Sequence, residues 1–319
     1  MQRAESSRPR SVHPANAEQL QDGLYHMRTR DTASFVSMLL EALLVAVVAA
    51  VMIAPFAAIA LAAARFSFPF PRIFDRVVMV TLLAALLMFA RQLRLIQLLR
   101  EGFGTNRGYM WQGLAGLGLA AGAVSTLFVL ASLAGGNIRR TEILPSVLRY
   151  FPAAMLIAVI EEGFFRAFLL AGMESELGSS AGLIASSAIF AFVHVIRSPA
   201  HFYLVHFDPL AGAKTLVAYA ERIMQIGSGP ALLGFFLLGL VLGEAFVLTR
   251  RVHCSVGMHL GFVLGAKTWR QAVGGAIPRW LAGGGSVPLL AAPATWGISA
   301  IVLILLFLRL APSRAAGPP

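Results

Sequence analysis

The sequence predicts an all-α, polytopic membrane protein in which about eight transmembrane helices form one bundle. Hydrophobic residues make up 58% of the 319-residue chain, and its mean hydropathy is +0.75. Several apolar stretches reach the roughly 20 residues that a helix needs to cross a bilayer. Charged residues, most of them arginines, separate these stretches. This pattern is typical of a multi-span membrane protein rather than a globular one.

The apolar stretches define the predicted helices and the parts of the chain around them. Residues 1–33 are polar and Arg-rich, and we expect a flexible N-terminal tail. Residues 34–312 form the predicted transmembrane domain, and 313–319 a short C-terminal tail. The stretch 197–230 is too polar to span, and its apolar stripe within 214–226 predicts an interfacial helix or a loop covering a site. The predicted spans are 34–64, 76–99, 111–134, 148–173, 179–196, 231–248, 252–267 and 293–310.

The charge balance and the cysteine content narrow the class of protein. The net charge is +11, and almost all basic residues are arginines placed between apolar runs. We interpret them as headgroup anchors and topology determinants, and we expect the lipid bilayer and no nucleic acid as a partner. Cys254 is the single cysteine, which excludes an intramolecular disulfide and a multi-cysteine metal site.

Three charges lie close together inside the apolar stretch 148–173. They are Glu161, Glu162 and Arg166, and charged side chains at membrane depth cost several kcal/mol. On a helix, Glu162 and Arg166 are four residues apart and can pair, whereas Glu161 points about 100° away. The cluster is therefore either a structural ion network or a clamp that leaves Glu161 free for acid/base chemistry.

Other ionisable residues lie in the later apolar stretches. His194 is near the end of 179–196, and His259 lies in 252–267; together with Glu161 they can orient and deprotonate a water molecule. Glu244 in 231–248 is interpreted as structural. Gly239 and Gly243 in that helix predict close approach of a neighbouring helix.

These residues carry a resemblance to a known family. Glu161-Glu162-Gly-Phe-Phe-Arg166 matches the EExxxR signature of the CPBP intramembrane proteases, also called the CAAX-protease and bacteriocin-processing family. Phe190 and His194 match its FxxxH motif, and His259 stands where its third motif begins. The resemblance covers roughly residues 150–265, so the predicted catalytic core is about 148–268.

The resemblance implies a role for each matching residue. Glu161 resembles the glutamate that activates the attacking water, with His194 assisting. His259 resembles part of the pocket that holds the water or stabilises the oxyanion. Glu162 and Arg166, with Phe190, are the expected supporting residues. The implied function is an intramembrane endopeptidase that hydrolyses a peptide bond in a membrane-associated protein or peptide.

The chain departs from the family pattern at one motif position and in one segment length. The third motif often reads HxxxN or HxxxD, whereas this chain has Val263 four residues after His259. The segment 197–230 is also longer than expected, and gating of substrate entry is a hypothesis for it.

The sequence also leads to expectations about a metal cofactor and about the membrane in which the protein lies. We expect no metal cofactor, since Glu162 and Arg166 balance charge without a cation. A zinc ion held by Glu161, His194 and His259 stays an alternative. The Ala/Arg/Gly-rich composition favours a bacterial inner membrane, although the basic residues do not fix the orientation.

Two other functions stay open on the sequence alone. A non-catalytic membrane scaffold or a bacteriocin-immunity-type protein would retain the same fold, and Val263 favours it. A transporter or a proton-coupled channel would use Glu161, Glu244 and the histidines as a relay. It is disfavoured because the chain lacks recognisable inverted halves.

Overall fold

The computed structural model is a bundle of α-helices, and it describes residues 34–104, 106–196, 202–204, 206–223, 229–284, 287 and 289–315. The helices are α1 Phe35–Ala63, α2 Phe70–Met88, α3 Leu95–Phe103, α4 Arg107–Leu133, α5 Ile143–Glu162, α6 Ala171–Leu177, α7 Ser179–Val195, α8 Ala211–Ile223, α9 Gly229–Thr249, α10 Val252–Ala272, α11 Arg279–Ala282 and α12 Pro293–Ala315. A 3₁₀ turn at Arg140–Glu142 precedes α5, a π-helical segment at Gly163–Leu170 separates α5 from α6, and a second 3₁₀ turn at Leu289–Ala291 precedes α12.

The fold class predicted from the sequence is confirmed. Among the described residues, four helical runs are long and apolar enough to cross a membrane: α1, most of α4, the continuous run Arg140–Leu177, and α9. Two shorter apolar helices accompany them, α7 and the Pro293–Leu308 part of α12. Helices α2 and α10 fall outside both groups: α2 carries three charged residues, Arg72, Asp75 and Arg76, and polar side chains lower the hydropathy of α10. The protein is thus an integral membrane protein of packed helices.

Two of the predicted helices differ from the structure. The span predicted at 76–99 is two helices, since α2 ends at Met88 and a turn that includes Arg94 in the left-handed region (φ 51°) precedes α3. The span predicted at 148–173 starts earlier and contains the π-helical segment, which side-chain periodicity does not reveal.

Helices α1 and α2 form a hairpin joined through small side chains. The buried face of α1 repeats alanine every fourth residue, which lets α2 approach closely. Thr81 of α2 donates a hydrogen bond to the backbone oxygen of Ala46 at 2.9 Å. The alanines of this stripe are Ala42, Ala46, Ala50, Ala54 and Ala58.

The helix predicted within 214–226 is present as α8, and it packs against this hairpin. Gly212 lies against the backbone of Val51, and the Tyr219 hydroxyl donates to Asp75. Asp208, just before α8, accepts hydrogen bonds from Lys214 Nζ at 2.7 Å and from the Leu210 amide at 2.9 Å. The bond from Lys214 is the main reason that the pKa of the Asp208 carboxyl lies below its usual value. Residues 197–201, 205 and 224–228, which include His201, lie outside the described residues.

Helices α4 and α10 approach each other through glycines. A Cβ atom on Gly257 would lie 2.0 Å from the backbone oxygen of Gly113, and one on Gly116 would lie 2.1 Å from that of Cys254. Gly261 and Gly265 continue the same face of α10, at four-residue spacing, against Ala120 and Val124 of α4. Small residues at such an interface let the backbones of two membrane helices approach closely.

Helix α9 packs against α7 in the same way. A Cβ atom on Gly243 would lie 2.4 Å from Leu183 Cδ1, and one on Gly239 would lie 3.0 Å from Ser187 Cβ. The expectation that these two glycines admit a neighbouring helix is therefore confirmed, and that helix is α7. A two-stranded antiparallel pair, Asn137–Ile138 with Val273–Gly274, ties the end of α4 to the end of α10.

Candidate active site

The three sequence motifs meet at one place in the bundle. Glu161 and Glu162 are the last two residues of α5, and Arg166 lies in the π-helical segment that follows. His194 is the penultimate residue of α7, and His259 lies within α10. Three separate helical runs therefore bring their polar side chains together inside an otherwise apolar bundle.

The π-helical segment begins directly after the two glutamates. Wider helical turns of this kind are rare and are found frequently at functional sites. Two glycines allow α3 to pack against it: a Cβ atom on Gly102 would lie 2.3 Å from Ala167 Cβ, and one on Gly163 would lie 3.0 Å from the Phe103 ring. The side chains of Phe165 and of residues 166–170 are buried. The segment is thus fixed by packing from its neighbours rather than by its own sequence alone.

Glu162, Arg166 and His259 form the buried part of the site. Glu162 and Arg166 have no exposed side-chain surface, and the His259 side chain is 5% exposed. Glu162 Oε2 lies 3.3 Å from Arg166 Nε, and Glu162 Oε1 lies 2.8 Å from His259 Nδ1. One carboxylate therefore neutralises the guanidinium and orients the imidazole. This is the pairing predicted from the four-residue spacing, extended to a residue on a second helical run, α10.

Glu161 and His194 form the accessible part of the site. Their side chains are 29% and 22% exposed, in contrast to the buried trio. His194 Nε2 lies 3.1 Å from Glu161 Oε2, and its Nδ1 lies 2.8 Å from the backbone oxygen of Phe190. A carbonyl oxygen only accepts, so Nδ1 carries a proton. The contact at Nε2 then requires a second proton, held either by the glutamate or by a doubly protonated imidazole.

His259 directs its second nitrogen to the same carboxylate. Its Nε2 lies 3.7 Å from Glu161 Oε2, which is too long for a hydrogen bond. Glu162 is ionised beside Arg166, so its Oε1 accepts a hydrogen bond from His259 Nδ1–H. In a neutral ring of this tautomer, Nε2 carries the lone pair. With one proton between Glu161 and His194, the two carboxylates, the guanidinium and the two imidazoles sum to zero charge. Charge neutrality lowers the cost of burying the cluster.

Aromatic rings hold the His194 imidazole in place. Its ring centroid lies 4.1 Å from that of Phe190, 5.0 Å from Phe235 and 6.0 Å from Phe165. Arg166 Cζ lies 5.0 Å from the Phe190 ring centre, a cation–π contact. Phe190 was predicted as a supporting residue from its motif. Sequence reasoning missed Phe165 and Phe235, because nothing in an apolar run distinguishes one phenylalanine from another.

The remaining ionisable and motif positions lie elsewhere. Glu244 is 1% exposed and lines a separate cavity of about 740 Å³ with Ser179, Arg250 and Phe307, so it is not part of the glutamate–histidine cluster. Val263 packs one turn beyond His259 among apolar side chains, including Ala154 and Ala158 of α5 and Leu260.

A metal ion was left as an alternative by the sequence, and the donor arrangement tests it. Among the described residues, no group of three or more histidine, cysteine, aspartate or glutamate side chains is spaced to hold a metal ion. The Nδ1 atoms of His194 and His259 are engaged by Phe190 and Glu162, and their Nε2 atoms are turned toward Glu161.

The fold and the site together define a class of protein. It is an integral membrane protein of packed helices that holds a glutamate–histidine cluster where three helical runs meet. In comparison with known families, the model for type II CAAX prenyl endopeptidase Rce1-like proteins matches residues 142–265. The chain therefore contains an Rce1-like domain, and the resemblance seen in its motifs is confirmed. No significant match was found among curated proteins or among solved structures.

Proposed function

We propose that this protein is an intramembrane endopeptidase that hydrolyses a peptide bond in a membrane-associated protein or peptide. In this proposal Glu161 is the general base that activates water, and His194 assists it. The observation that carries the proposal is the position of Glu161 Oε2, 3.1 Å from His194 Nε2 and 3.7 Å from His259 Nε2. That arrangement lies within the Rce1-like domain, whose family is proteolytic.

The proton shared by Glu161 and His194 allows all proton transfers of peptide hydrolysis to be assigned to these two residues. In the reactive state His194 carries the proton and Glu161 is a carboxylate. Glu161 takes a proton from a bound water molecule as the oxygen of that water attacks the peptide carbonyl carbon. The resulting oxyanion accepts a hydrogen bond from His194 Nε2–H. Glu161 then gives its proton to the departing amine as the C–N bond breaks. The products are a carboxylic acid and an amine, and the enzyme ends in its starting protonation state.

The buried trio keeps this arrangement in position. Arg166 keeps Glu162 ionised, and Glu162 fixes the His259 ring with its Nε2 atom toward Glu161. We assign His259 to holding the water beside Glu161. The buried and accessible parts of the site thus have different tasks, in line with their different exposures.

The same proposal implies a class of substrate and the membrane in which the protein acts. The substrate would be a membrane-associated protein or peptide, because the catalytic pair lies within a bundle of lipid-facing helices. The composition supports placement in a bacterial inner membrane. The described part of the segment 197–230 includes helix α8, which packs on the α1–α2 hairpin, and a role in substrate entry is retained as part of the proposal.

Substitution of Glu161 by glutamine tests the proposal. Glutamine keeps the size of the side chain but cannot take a proton from water, so we expect cleavage to fall by at least about a hundredfold. The measurement is quantitative membrane proteomics of cells with wild type or Glu161→Gln, followed by cleavage of the accumulated substrate with purified protein. The matched control is Glu41→Gln, on α1. An unchanged set of membrane proteins in Glu161→Gln would overturn the proposal.

We further propose that catalysis needs no metal ion. The charge balance of the buried trio supports this, since Arg166 neutralises Glu162 without a cation, and no metal-spaced group occurs among the described residues. Cleavage by the purified protein should stay within about twofold after dialysis against a strong chelator, with metal content measured in the same sample. Stoichiometric zinc, together with loss of cleavage on its removal and recovery on its return, would contradict this part of the proposal.

The scaffold alternative retains one specific observation in its favour. Where the family motif often has an amide or carboxyl side chain, Val263 packs among aliphatic side chains and supplies no hydrogen bond. If the chain acts only by binding, Glu161→Gln leaves its cellular phenotype unchanged. The same variant therefore separates the two functions.

A further inference from the structure

A groove between α1 and α2 lies outside the Rce1-like domain and plays no part in the proposed reaction. It has a volume of about 460 Å³. One wall comes from α1 and the other from α2, with Phe68 of the connecting segment at one end. The apolar side chains of the walls are Ile53, Ala57 and Leu61 of α1, and Ile73, Val77 and Val80 of α2.

Two arginines line the half of this groove nearer the α1–α2 connection. Arg72 and Arg76 both line it, lie one helical turn apart on α2, and are exposed. None of the ion pairs among the described residues involves either of them. Arg76 Nη1 contacts only a weak acceptor, Met79 Sδ, at 3.3 Å. Two guanidinium groups at this spacing can share one phosphate, which arginine binds in a bidentate manner.

The end of the groove has the composition of a membrane–water interface. The α1–α2 connection carries Arg65, and the rings of Phe66 and Phe68 are 57% and 43% exposed. Aromatic and basic side chains concentrate at headgroup level in membrane proteins. From Arg72 the groove then follows α2 to Thr81, a distance of about 13 Å along the helix, into the apolar layer.

The chemistry of the walls decides which kind of molecule fits. A peptide in extended form would leave its backbone donors and acceptors without partners along apolar walls, which is costly at membrane depth. An acyl chain has no such groups. We propose that this groove binds one anionic phospholipid, with its phosphate between Arg72 and Arg76 and an acyl chain between α1 and α2.

The test is native mass spectrometry of the purified, delipidated full chain titrated with phosphatidylglycerol or with phosphatidylcholine of the same acyl chains. Wild type should retain phosphatidylglycerol preferentially. Arg72→Gln with Arg76→Gln should weaken that retention by about fivefold for each arginine removed. Retention of phosphatidylcholine should fall less, because its choline ammonium offsets the phosphate charge. The matched control, Arg91→Gln with Arg100→Gln, removes the same charge elsewhere and should behave as wild type.

A second arm tests the groove itself. Ala57→Phe should fill it and reduce retention of both lipids, and Val80→Phe, at an exposed position, serves the same purpose if Ala57→Phe fails to fold. Glycerol phosphate, which lacks acyl chains, should not displace the lipid at equal concentration. Any one of four results would overturn the proposal. They are equal retention of both lipids by wild type, losses in the Arg91/Arg100 control equal to those in the Arg72/Arg76 variant, unchanged retention in both groove variants, and displacement of the lipid by glycerol phosphate.

Discussion

His194 shows how one side chain depends on several helices at once. Its Nδ1 atom is bonded within α7 to the backbone of Phe190, its Nε2 atom faces Glu161 at the end of α5, and Phe235 of α9 lies against its ring. A histidine at the end of an apolar helix is mobile unless its ring is packed. Here the tautomer is set by a carbonyl and the orientation by aromatic rings, which leaves one nitrogen free for proton transfer.

Glu162 and Glu161 are neighbours in sequence but should differ sharply in their contribution to stability. Removal of the Glu162 side chain leaves the buried Arg166 without a counter-charge, so we expect Glu162→Ala to cost about 3–5 kcal/mol. Glu161→Ala removes a partly exposed side chain and should cost less than about 1 kcal/mol. Thermal unfolding of both variants in the same detergent measures the difference.

A double substitution checks the cause of that difference. If the cost in Glu162→Ala comes from the unpaired guanidinium, Glu162→Ala with Arg166→Leu should recover much of the lost stability. Equal destabilisation by Glu161→Ala and Glu162→Ala would contradict the division into a buried and an accessible part.

At the scale of elements, α10 depends on its close contact with α4. Gly257 lies two residues before His259, and its Cα faces the backbone of Gly113 with no room for a side chain. Any side chain there must push the two helices apart, and the displacement moves His259 away from Glu162 and Glu161. The glycine face of α10 therefore positions the site as well as stabilising the bundle.

Gly257→Val should therefore reduce both stability and cleavage. We expect overpacking to cost about 1–3 kcal/mol, with a larger relative loss of activity than of folded protein. The control is Gly118→Val on α4, where an added Cβ atom meets nothing within 4 Å. Thermal unfolding and cleavage rate should both stay near wild type in the control. A Gly257→Val protein as stable and active as Gly118→Val would exclude close contact at this position.

At the scale of the whole molecule, helices outside the Rce1-like domain support its site. The Phe35 ring of α1 lies 5.4 Å from that of Phe168 in the π-helical segment and fills the space beside Gly172. Helix α3 packs against the same segment through Gly102. The segment that directly follows Glu161 and Glu162 is thus held by two helices from the first third of the chain.

Phe35→Ala tests this support. Loss of the ring leaves a gap beside the π-helical segment, and we expect a cost of about 3 kcal/mol together with reduced cleavage. Phe66→Ala, which removes a mostly exposed ring on the same hairpin, should change neither property. The unfolding temperature and the cleavage rate are measured for both variants. Equal losses in Phe35→Ala and Phe66→Ala would show that the contact of Phe35 with the π-helical segment does not support the site.

Much of the helical layout and the members of the site could be predicted from the sequence. Long apolar runs must become helices in a membrane, since only there are all backbone groups satisfied. Charged residues within such runs are few, so Glu161, Glu162, Arg166, His194 and His259 were evident. Phe235 was not, because contact with His194 depends on how α9 is rotated against α7. The break between α2 and α3 was missed because its residues are also compatible with a helix.

The sequence by itself determined the class of protein, the approximate helix positions and the polar residues inside the bundle, because burial in lipid leaves few alternatives for each. Only the tertiary structure decided that Glu161 faces His194 while Glu162 faces Arg166 and His259. Helical spacing shows which side chains share a face, but not which neighbouring helix that face meets. The π-helical segment and the glycine contact of α10 set that meeting, and both depend on packing between distant parts of the chain.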